Sequence, residues 1–422
     1  RGEGLQPVIT LLRANRDLRW LFIAQVISFM GDWFSFVAVT GIVKDATGSE
    51  FLVSLAYVSF SLPSFLASPI AGVTVDRFDR RRLLLIVSLL QAVAALGLLT
   101  SSGSTVWPLF VFQGVISAFA AFVKPAIDAG VPNLARDSTE LRTANALFGS
   151  TWGVMLAVGA AVGGVFSEAF GRRTAFVANA VSFVIAMLLI ALVRRPMQEA
   201  HHADRPAMRP IADMAEAVRY ARQDHVVLAL IASKSTFAIG AGTVSQLPVL
   251  ATSVFGWNDG GTGMLLAARG VGAGLGPLIA SRFTQGSLSR VLRICGLAGV
   301  VFSACYLVAA WSPVIYLAAV VIAIGHLGGG SQWTLSTYGL QLRTPDHIRG
   351  RVMAGDFAIV TLVMSITGLG AGVMSELVGV RWTITAFASA AAVAGFVYIA
   401  ATRPLVQQLA TEEAAADATT SV

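Results

Sequence analysis

Ionisable side chains inside long apolar segments are the first candidates for chemistry in this sequence. A charge at bilayer depth is costly unless it is paired or hydrated, so each such residue predicts a functional or ion-pairing role. The candidates are Asp32, Lys124, Asp128, Lys234, Arg269 and His326. Asp32 is expected to be the only deep carboxylate, because it lies about 21 Å along its helix from Leu18.

Asp32 has the chemistry of a proton carrier. Burial favours the protonated form of a carboxylate and a nearby cation favours its charged form, so a partner that comes and goes makes a proton switch. We therefore expect Asp32 to take up a proton on one side and release it on the other; the alternative is a fixed ion pair or a helix-capping contact. Lys234 and Arg269 are candidate partners of Asp32 or ligands for an anionic substrate. His326 is a second proton-coupling candidate, or a hydrogen-bonded packing residue.

Neutral polar and aromatic residues complete the predicted substrate cavity. Gln25 and Gln246 lie in the first and seventh apolar segments and offer hydrogen bonds, and Gln332 follows His326 by one and a half helical turns. Aromatic side chains supply an apolar wall, or else face lipid. The cavity candidates are Gln25, Phe29, Trp33, Lys234, Phe237, Gln246, Arg269 and Gln332.

Long apolar segments must position these residues. The 422 residues are 55% hydrophobic and 13% charged, which is more apolar surface than a soluble core of this size can bury. Each bilayer crossing needs roughly 20 apolar helical residues. Twelve segments qualify, at residues 18–43, 51–75, 83–101, 106–131, 143–167, 174–193, 226–251, 262–281, 291–310, 313–342, 352–376 and 382–402. The sequence thus predicts an all-α membrane protein.

The distribution of basic residues predicts the topology. With the N-terminus in the cytoplasm, cytoplasmic segments hold 23 of the 30 Lys and Arg residues, against 4 on the other side and 3 within the spans. Cytoplasmic loops of membrane proteins are enriched in Lys and Arg, so both termini are predicted to be cytoplasmic in a multi-pass plasma-membrane protein. The net charge of +7 therefore indicates topology and no nucleic-acid partner.

A polar stretch divides the spans into six and six. The predicted parts are an N-terminal half (1–193), a cytoplasmic linker (194–224), a C-terminal half (225–402) and a disordered cytoplasmic tail (403–422). Residues 211–223 of the linker have helical spacing of apolar residues and predict an amphipathic helix on the inner membrane surface. Two six-helix halves joined by a linker are the layout of secondary transporters, whose site lies at the midplane.

The segment between the second and third spans carries a recognisable motif. Gly72-Val-Thr-Val-Asp76-Arg77-Phe-Asp79-Arg80-Arg81-Arg82 resembles the major facilitator signature Gly-x-x-x-Asp-Arg-x-Gly-Arg-Arg, with Asp79 in place of a glycine. The resemblance implies a latch that closes the cytoplasmic side; the arginines alternatively determine topology only. Lys124 and Asp128, four residues apart, are predicted to pair on one helical face. The predicted cytoplasmic gate comprises Gly72, Asp76, Arg77, Arg81, Lys124, Asp128, Arg349 and Arg351.

A second motif narrows the resemblance. Gln341-Leu-Arg-Thr-Pro345-Asp-His-Ile-Arg349-Gly350-Arg351-Val352 resembles a segment of the superfamily branch that contains the enterobactin exporter and the macrolide and multidrug efflux carriers. Gly31-Asp32, Pro125 and Ala144-Asn145 also match that branch. One departure is Gly159-Ala-Ala-Val-Gly163-Gly164, which lacks the proline of the exporter pattern Gly-Pro-x-x-Gly-Gly.

Other function classes lack their motifs. The sequence has no Walker motif, no metal-ligand cluster and no nucleophile–base pattern, so we expect neither an enzyme nor ATP-driven transport, with no metal and no cofactor. The prediction is a proton-coupled exporter of amphipathic small molecules such as drugs or siderophores. It works as a monomer in the lipid bilayer by alternating access, with the proton gradient as its energy source. The alternatives are a proton-symport solute importer and a lysolipid or lipid flippase.

Overall fold

The computed structural model describes residues 6–102, 105–198, 210–284 and 287–420. These ranges are helical apart from short connections and one bridge between Ser102 and Thr105. The helices before the linker are α1 (Gln6–Ala14), α2 (Arg16–Thr47), α3 (Glu50–Arg77), α4 (Arg80–Gly97), α5 (Trp107–Leu134), α6 (Ser138–Phe170) and α7 (Arg172–Ala191). Those that follow are α8 (Pro210–Gln223), α9 (His225–Gly240), α10 (Gly242–Ser245), α11 (Leu247–Val249), α12 (Asp259–Thr284), α13 (Leu288–Ala310), α14 (Ile315–Arg343), α15 (Asp346–Val378) and α16 (Val380–Thr420).

Twelve segments in the described ranges are long and apolar enough to cross a bilayer. The 32 residues of α2, for example, make a helix about 48 Å long, more than the hydrocarbon layer requires. Large apolar side chains such as Val93, Leu188, Val320 and Ile366 are exposed on helix surfaces. In a membrane these side chains contact lipid, while the backbone polar groups are satisfied within each helix. The predicted all-helical fold with twelve spans is confirmed.

Polar side chains set the starting points of several helices. The side chains of Asn15, Ser49, Asp79, Asp224 and Ser287 each accept a hydrogen bond from a backbone N–H in the first turn of the helix that follows. The first N–H groups of a helix have no partner within it, so such caps stabilise its start. This capping role explains why aspartate stands at position 79, where the first motif usually has glycine. The Asp79 Oδ1 accepts a hydrogen bond from the Arg82 N–H at 2.8 Å and caps the start of α4.

The described chain forms two compact units. The first contains the residues up to Met208 together with Trp257–Ala267, and the second contains Arg209–Gly256 and Ala268–Val422. This division differs from the predicted one, because the beginning of α12 belongs to the first unit. In the first unit α2 packs against α6 and α7, and α3 packs against α5. In the second unit α13 packs against α14 and α16.

The C-terminal residues differ from the prediction. Residues 403–420, expected to be disordered, continue α16 as regular helix. The Glu413 carboxylate accepts hydrogen bonds from the hydroxyls of Ser287 and Ser289, at 2.6 and 2.7 Å, at the start of α13. Alanine and glutamate favour helix, so an acidic, alanine-rich sequence extends α16 once it finds this contact.

The linker contains the predicted helix, as α8. Tyr220 and Ala221 near its end pack against a hydrophobic cluster that includes Leu230, Leu292 and Leu340. The end of α8 is therefore held by the second unit, through protein contacts as well as any contact with a membrane surface.

Candidate functional site

Asp32 lies on α2 where that helix packs closely against α7. One carboxylate oxygen, Oδ1, is buried and has no hydrogen-bond partner among the described residues, and the Asn179 side chain of α7 interacts with the carboxylate. Asn179 also donates to the Ser35 hydroxyl at 2.8 Å. A Cβ at Gly31 would overlap Asn179 and Ser182. The Gly31-Asp32 pair thus brings a carboxylate against the polar face of α7 within the first unit.

A small cavity lies one to two turns before Asp32, within the first unit. Its volume is about 20 Å³, enough for one water molecule. The predicted cavity residues Gln25 and Phe29 line it, together with Ser28, Ser88 and Gln91. The Gln25 Oε1 is buried and has no partner among the described residues, so the cavity offers a hydrogen-bond acceptor.

Trp33 belongs to an aromatic cluster beside Asp32. Its ring contacts Phe36 and Phe60 at centroid distances of 5.6 and 5.5 Å, and its side chain is 6% exposed. Gly159 permits this packing, since a Cβ there would lie 3.0 Å from the indole. Trp33 is therefore a packed apolar wall of the first unit and does not face lipid.

The seventh span is an interrupted helix. It runs as α9, α10 and α11 and ends in a π-helical turn at Leu250–Val254. Interrupted membrane helices and π turns often accompany binding sites, because they free backbone groups and redirect side chains. Gln246 lies at one break, fully buried, and its amide is 3.4 Å from the Ser245 hydroxyl.

Lys234 on α9 forms a buried ion pair with Asp356 on α15. Both side chains are 3% exposed, and the ammonium also donates to the Thr337 hydroxyl at 2.8 Å. Asp356 is a buried carboxylate that was not among the predicted candidates, and its residue is 2% exposed. Sequence reasoning missed Asp356 because it lies only four residues into the predicted span.

The remaining candidates of the second unit are tightly packed. The His326 Nε2 is 2.9 Å from the Tyr306 hydroxyl, and the imidazole lies edge-on to Phe237 and Phe302. The Gln332 amide donates to the Ser233 carbonyl at 2.5 Å. These contacts join α14 to α9 and α13.

Arg269 is buried on α12, one turn before Gly272. At Gly272 a Cβ would meet the His326 Cβ and the Ala323 carbonyl of α14. Close approach of α12 and α14 therefore brings Arg269 and His326 to the same region of the second unit.

The arginines of the first motif bind carbonyl groups within the first unit. The Arg80 guanidinium donates to the carbonyls of Ala129 and Met197, at 2.8 and 3.0 Å, and that of Arg81 donates to the Ala191 carbonyl at 2.5 Å. The Ala191 carbonyl is at the C-terminus of α7, where carbonyls carry partial negative charge that the Arg81 guanidinium offsets. Arg80 joins α5 to the segment that follows α7.

The other gate candidates have different surroundings. Lys124 and Asp128 form the predicted i,i+4 pair at 2.5 Å, with side chains 70% and 53% exposed. Arg77 is exposed at the end of α3. Gly72, Asp76, Arg349 and Arg351 lie in helices, but their side chains are outside the part of the chain that the structure describes.

A second polar cluster, at the beginning of α7, was not predicted. The Arg172 guanidinium binds both oxygens of Asp259 at 2.7 and 2.8 Å, and Asp45 at 2.6 Å. The Glu168 carboxylate accepts from the Gly260 N–H at 2.9 Å, at the start of α12. A bidentate ion pair and a carboxylate at a helix N-terminus are strong contacts, so this cluster fixes the beginning of α12 within the first unit.

Comparison with known proteins places the chain among transporters. Residues 12–419 match the family described as "Transmembrane secretion effector". The chain is 26% identical over 408 residues to the multidrug efflux pump Tap of Mycobacterium tuberculosis, which covers 92% of this chain and 94% of Tap. It is 24% identical over 394 residues to the MFS-type transporter YfiS of Bacillus subtilis, covering 88% and 89%.

Solved structures share the fold. A peptide transporter POT superposes with a TM-score of 0.76 at 12% identity, covering 94% of this chain and 96% of that one. A bacterial homologue of the human lysosomal transporter Spinster, in an inward-facing conformation, gives a TM-score of 0.71 at 15% identity, covering 92% and 96%. At these identities the likeness establishes the arrangement of helices and leaves the substrate open.

Proposed function

The chain belongs to the transmembrane secretion effector family of major facilitator transporters, and we propose that it exports amphipathic small molecules in exchange for protons. Export against a concentration gradient needs an energy source, and the proton gradient is the source that a buried carboxylate can use. The proposal includes cytoplasmic termini in a plasma membrane, as the basic loops predict. It includes no bound cofactor and a monomeric carrier.

Export is supported by the relatives. Tap, whose name describes a multidrug efflux pump, aligns with 92% of this chain. Within the first unit, the apolar wall around Trp33 and the buried amide of Gln25 suit ligands that combine aromatic or aliphatic surface with a few polar groups. Siderophores and drugs share this amphipathic character.

The surroundings of Asp32 are the main support for the proposed proton coupling. Its buried Oδ1 is without a hydrogen-bond partner among the described residues, and the side chain that interacts with the carboxylate is the neutral amide of Asn179. Asn179 and Ser35 form a polar surface beside it that can stabilise either protonation state. In the proposed cycle Asp32 binds a proton in one state of the carrier and releases it in the other, and the exported molecule moves in the opposite direction.

The direction and the coupling can be tested in cells that lack the carrier. Such cells are supplied with native protein or with Asp32→Asn, loaded with a panel of amphipathic fluorescent compounds, and followed with and without an uncoupler. We expect native protein to lower the accumulation of at least one compound. Both the uncoupler and Asp32→Asn should abolish this effect at equal protein level.

Asp45→Asn is the matched control, because Asp45 lies on the same helix α2 but its side chain is 70% exposed. It should leave export within about twofold of native. Higher accumulation with native protein would indicate import and overturn the proposal, and full export by Asp32→Asn would assign coupling to another residue.

A further inference from the structure

The ion pair between Lys234 and Asp356 is the most deeply buried charge pair among the described residues. Both groups lie in the second unit, about 14 and 15 Å along α9 and α15 from His225 and Asp346. Thr337 and Trp333 of α14 lie beside them. Three helices thus converge on one ammonium group.

The surroundings of the Lys234 ammonium are those of a cation-binding site. Asp356 supplies a carboxylate, Thr337 supplies a hydroxyl acceptor, and the Trp333 ring lies 5.3 Å from the Nζ atom. An aromatic face within about 6 Å attracts a cation through its quadrupole. Phe237 and Phe357 stand edge-on to Trp333 at 6.5 and 6.4 Å and extend the aromatic surface.

The pair leaves binding capacity unused. The Asp356 Oδ1 is buried and has no hydrogen-bond partner among the described residues, while Oδ2 binds Lys234. Burying two charges costs more than a well-packed apolar pair of the same volume, so stability alone does not account for such a pair. The unpaired oxygen of this buried carboxylate can accept a hydrogen bond or a charge contact from a further ligand.

The position on α9 supports exchange of that ligand. Lys234 lies less than two turns before Ala241, where the seventh span is first interrupted. Lysine carries its ammonium group on a flexible four-carbon stem, so the charge can move without movement of the backbone. The long lysine side chain can therefore withdraw while Asp356, on the continuous helix α15, keeps its place.

We propose that Asp356, Trp333 and Thr337 bind the cationic group of transported organic cations, and that Lys234 is the resident cation which such a ligand displaces. The inference deepens the proposed export function and rests on it for the identity of the ligand as a substrate. An organic cation replaces the ammonium charge for charge. An anion attracted to Lys234 would meet the Asp356 charge, so the site favours cations.

Two ions of nearly equal shape and opposite charge test this preference. Tetraphenylphosphonium and tetraphenylborate are added to the purified full-length chain in lipid nanodiscs, and lysine reactivity is measured by reductive methylation and mass spectrometry. The chain has three lysines, so each is read separately. Lys124, 70% exposed, is the internal reference.

We expect tetraphenylphosphonium to raise the labelling rate of Lys234 at least fivefold and to leave Lys124 unchanged, because the displaced ammonium loses its buried partner. Tetraphenylborate should leave Lys234 protected. An unchanged Lys234 rate at saturating tetraphenylphosphonium, or an equal rise with tetraphenylborate, would overturn the proposal.

Binding of radiolabelled tetraphenylphosphonium by equilibrium dialysis gives an independent measurement. Lys234→Met should bind it at least tenfold more tightly than native protein, and Asp356→Asn should bind it at least tenfold more weakly. The uncharged double variant Lys234→Met/Asp356→Asn leaves no buried charge unpaired and should fold as native protein does while binding tetraphenylphosphonium more weakly than native protein. Equal binding by native protein and the double variant would show a purely structural ion pair.

Asp32→Asn separates this inference from the export proposal. Asp32 belongs to the first unit, so the variant should retain both tetraphenylphosphonium binding and the exposure of Lys234 even where proton coupling is lost. If native protein exports but tetraphenylphosphonium does not raise the labelling rate of Lys234, the cation site is refuted and the export proposal stands.

Discussion

The Arg172 guanidinium forms two ion pairs, one with a buried and one with an exposed carboxylate, so the contribution of each pair to stability can be compared within one protein. Asp259 receives two hydrogen bonds and its side chain is 4% exposed, whereas Asp45 receives one and is 70% exposed. Hydrogen bonds to charged groups contribute about 1.5 kcal/mol each at the low end, which gives about 3 kcal/mol for the Asp259 pair. An exposed pair contributes less than about 1 kcal/mol because of solvent screening.

Double-mutant cycles measure both couplings. Arg172→Gln is combined with Asp259→Asn in one cycle and with Asp45→Asn in the other, and the free energy of unfolding is obtained by SDS titration in mixed micelles. We expect coupling energies of about 3 kcal/mol for Asp259 and below about 1 kcal/mol for Asp45. Arg173→Gln, at the exposed neighbouring position, is the control and should change stability little. Equal couplings, or less than about 1 kcal/mol for Asp259, would refute the argument from burial.

Three further substitutions test local packing and capping. Gly31→Ala should lower the free energy of unfolding by about 1–3 kcal/mol in the same titration, because its Cβ would overlap Asn179 and Ser182. Gly274→Ala is the control and should not lower it, since a Cβ there has nothing within 4 Å. Equal effects of the two substitutions would contradict the close packing of α2 on α7. Asp79→Ala should cost about 1 kcal/mol through loss of the cap of α4, while Asp79→Asn keeps the acceptor and should cost less. Glu413→Ala should speed proteolysis of the C-terminal end of α16 severalfold, since two serine hydroxyls lose their acceptor; an unchanged rate would mean that the helix holds without this contact.

The sequence predicts what is local to one helix. Span lengths follow from the apolar runs, and the Lys124–Asp128 pair follows from a spacing of four residues. Contacts between distant segments leave no such signal: Lys234 and Asp356 are 122 residues apart, and Arg172 and Asp259 are 87 apart. Both missed carboxylates stand near predicted span ends, where a charge is usually solvated.

Two errors have identifiable causes. The tail was predicted to be disordered because its composition is acidic. Alanine and glutamate are good helix formers, however, and the tail directly follows the last membrane span, whose helix it continues. The breaks in the seventh span were missed because the residues at the first of them, Gly240, Ala241 and Gly242, are small and are tolerated in membrane helices.

Proton movement in proteoliposomes tests the central claim most directly. Purified protein is reconstituted with a pH-sensitive dye inside the vesicles, and a compound found to be exported in cells is added outside. If proton exchange proceeds through Asp32, the compound will drive protons across the membrane with native protein and with Asp45→Asn, but not with Asp32→Asn. Transport of the compound without proton movement by native protein, or equal proton movement by Asp32→Asn, would contradict it.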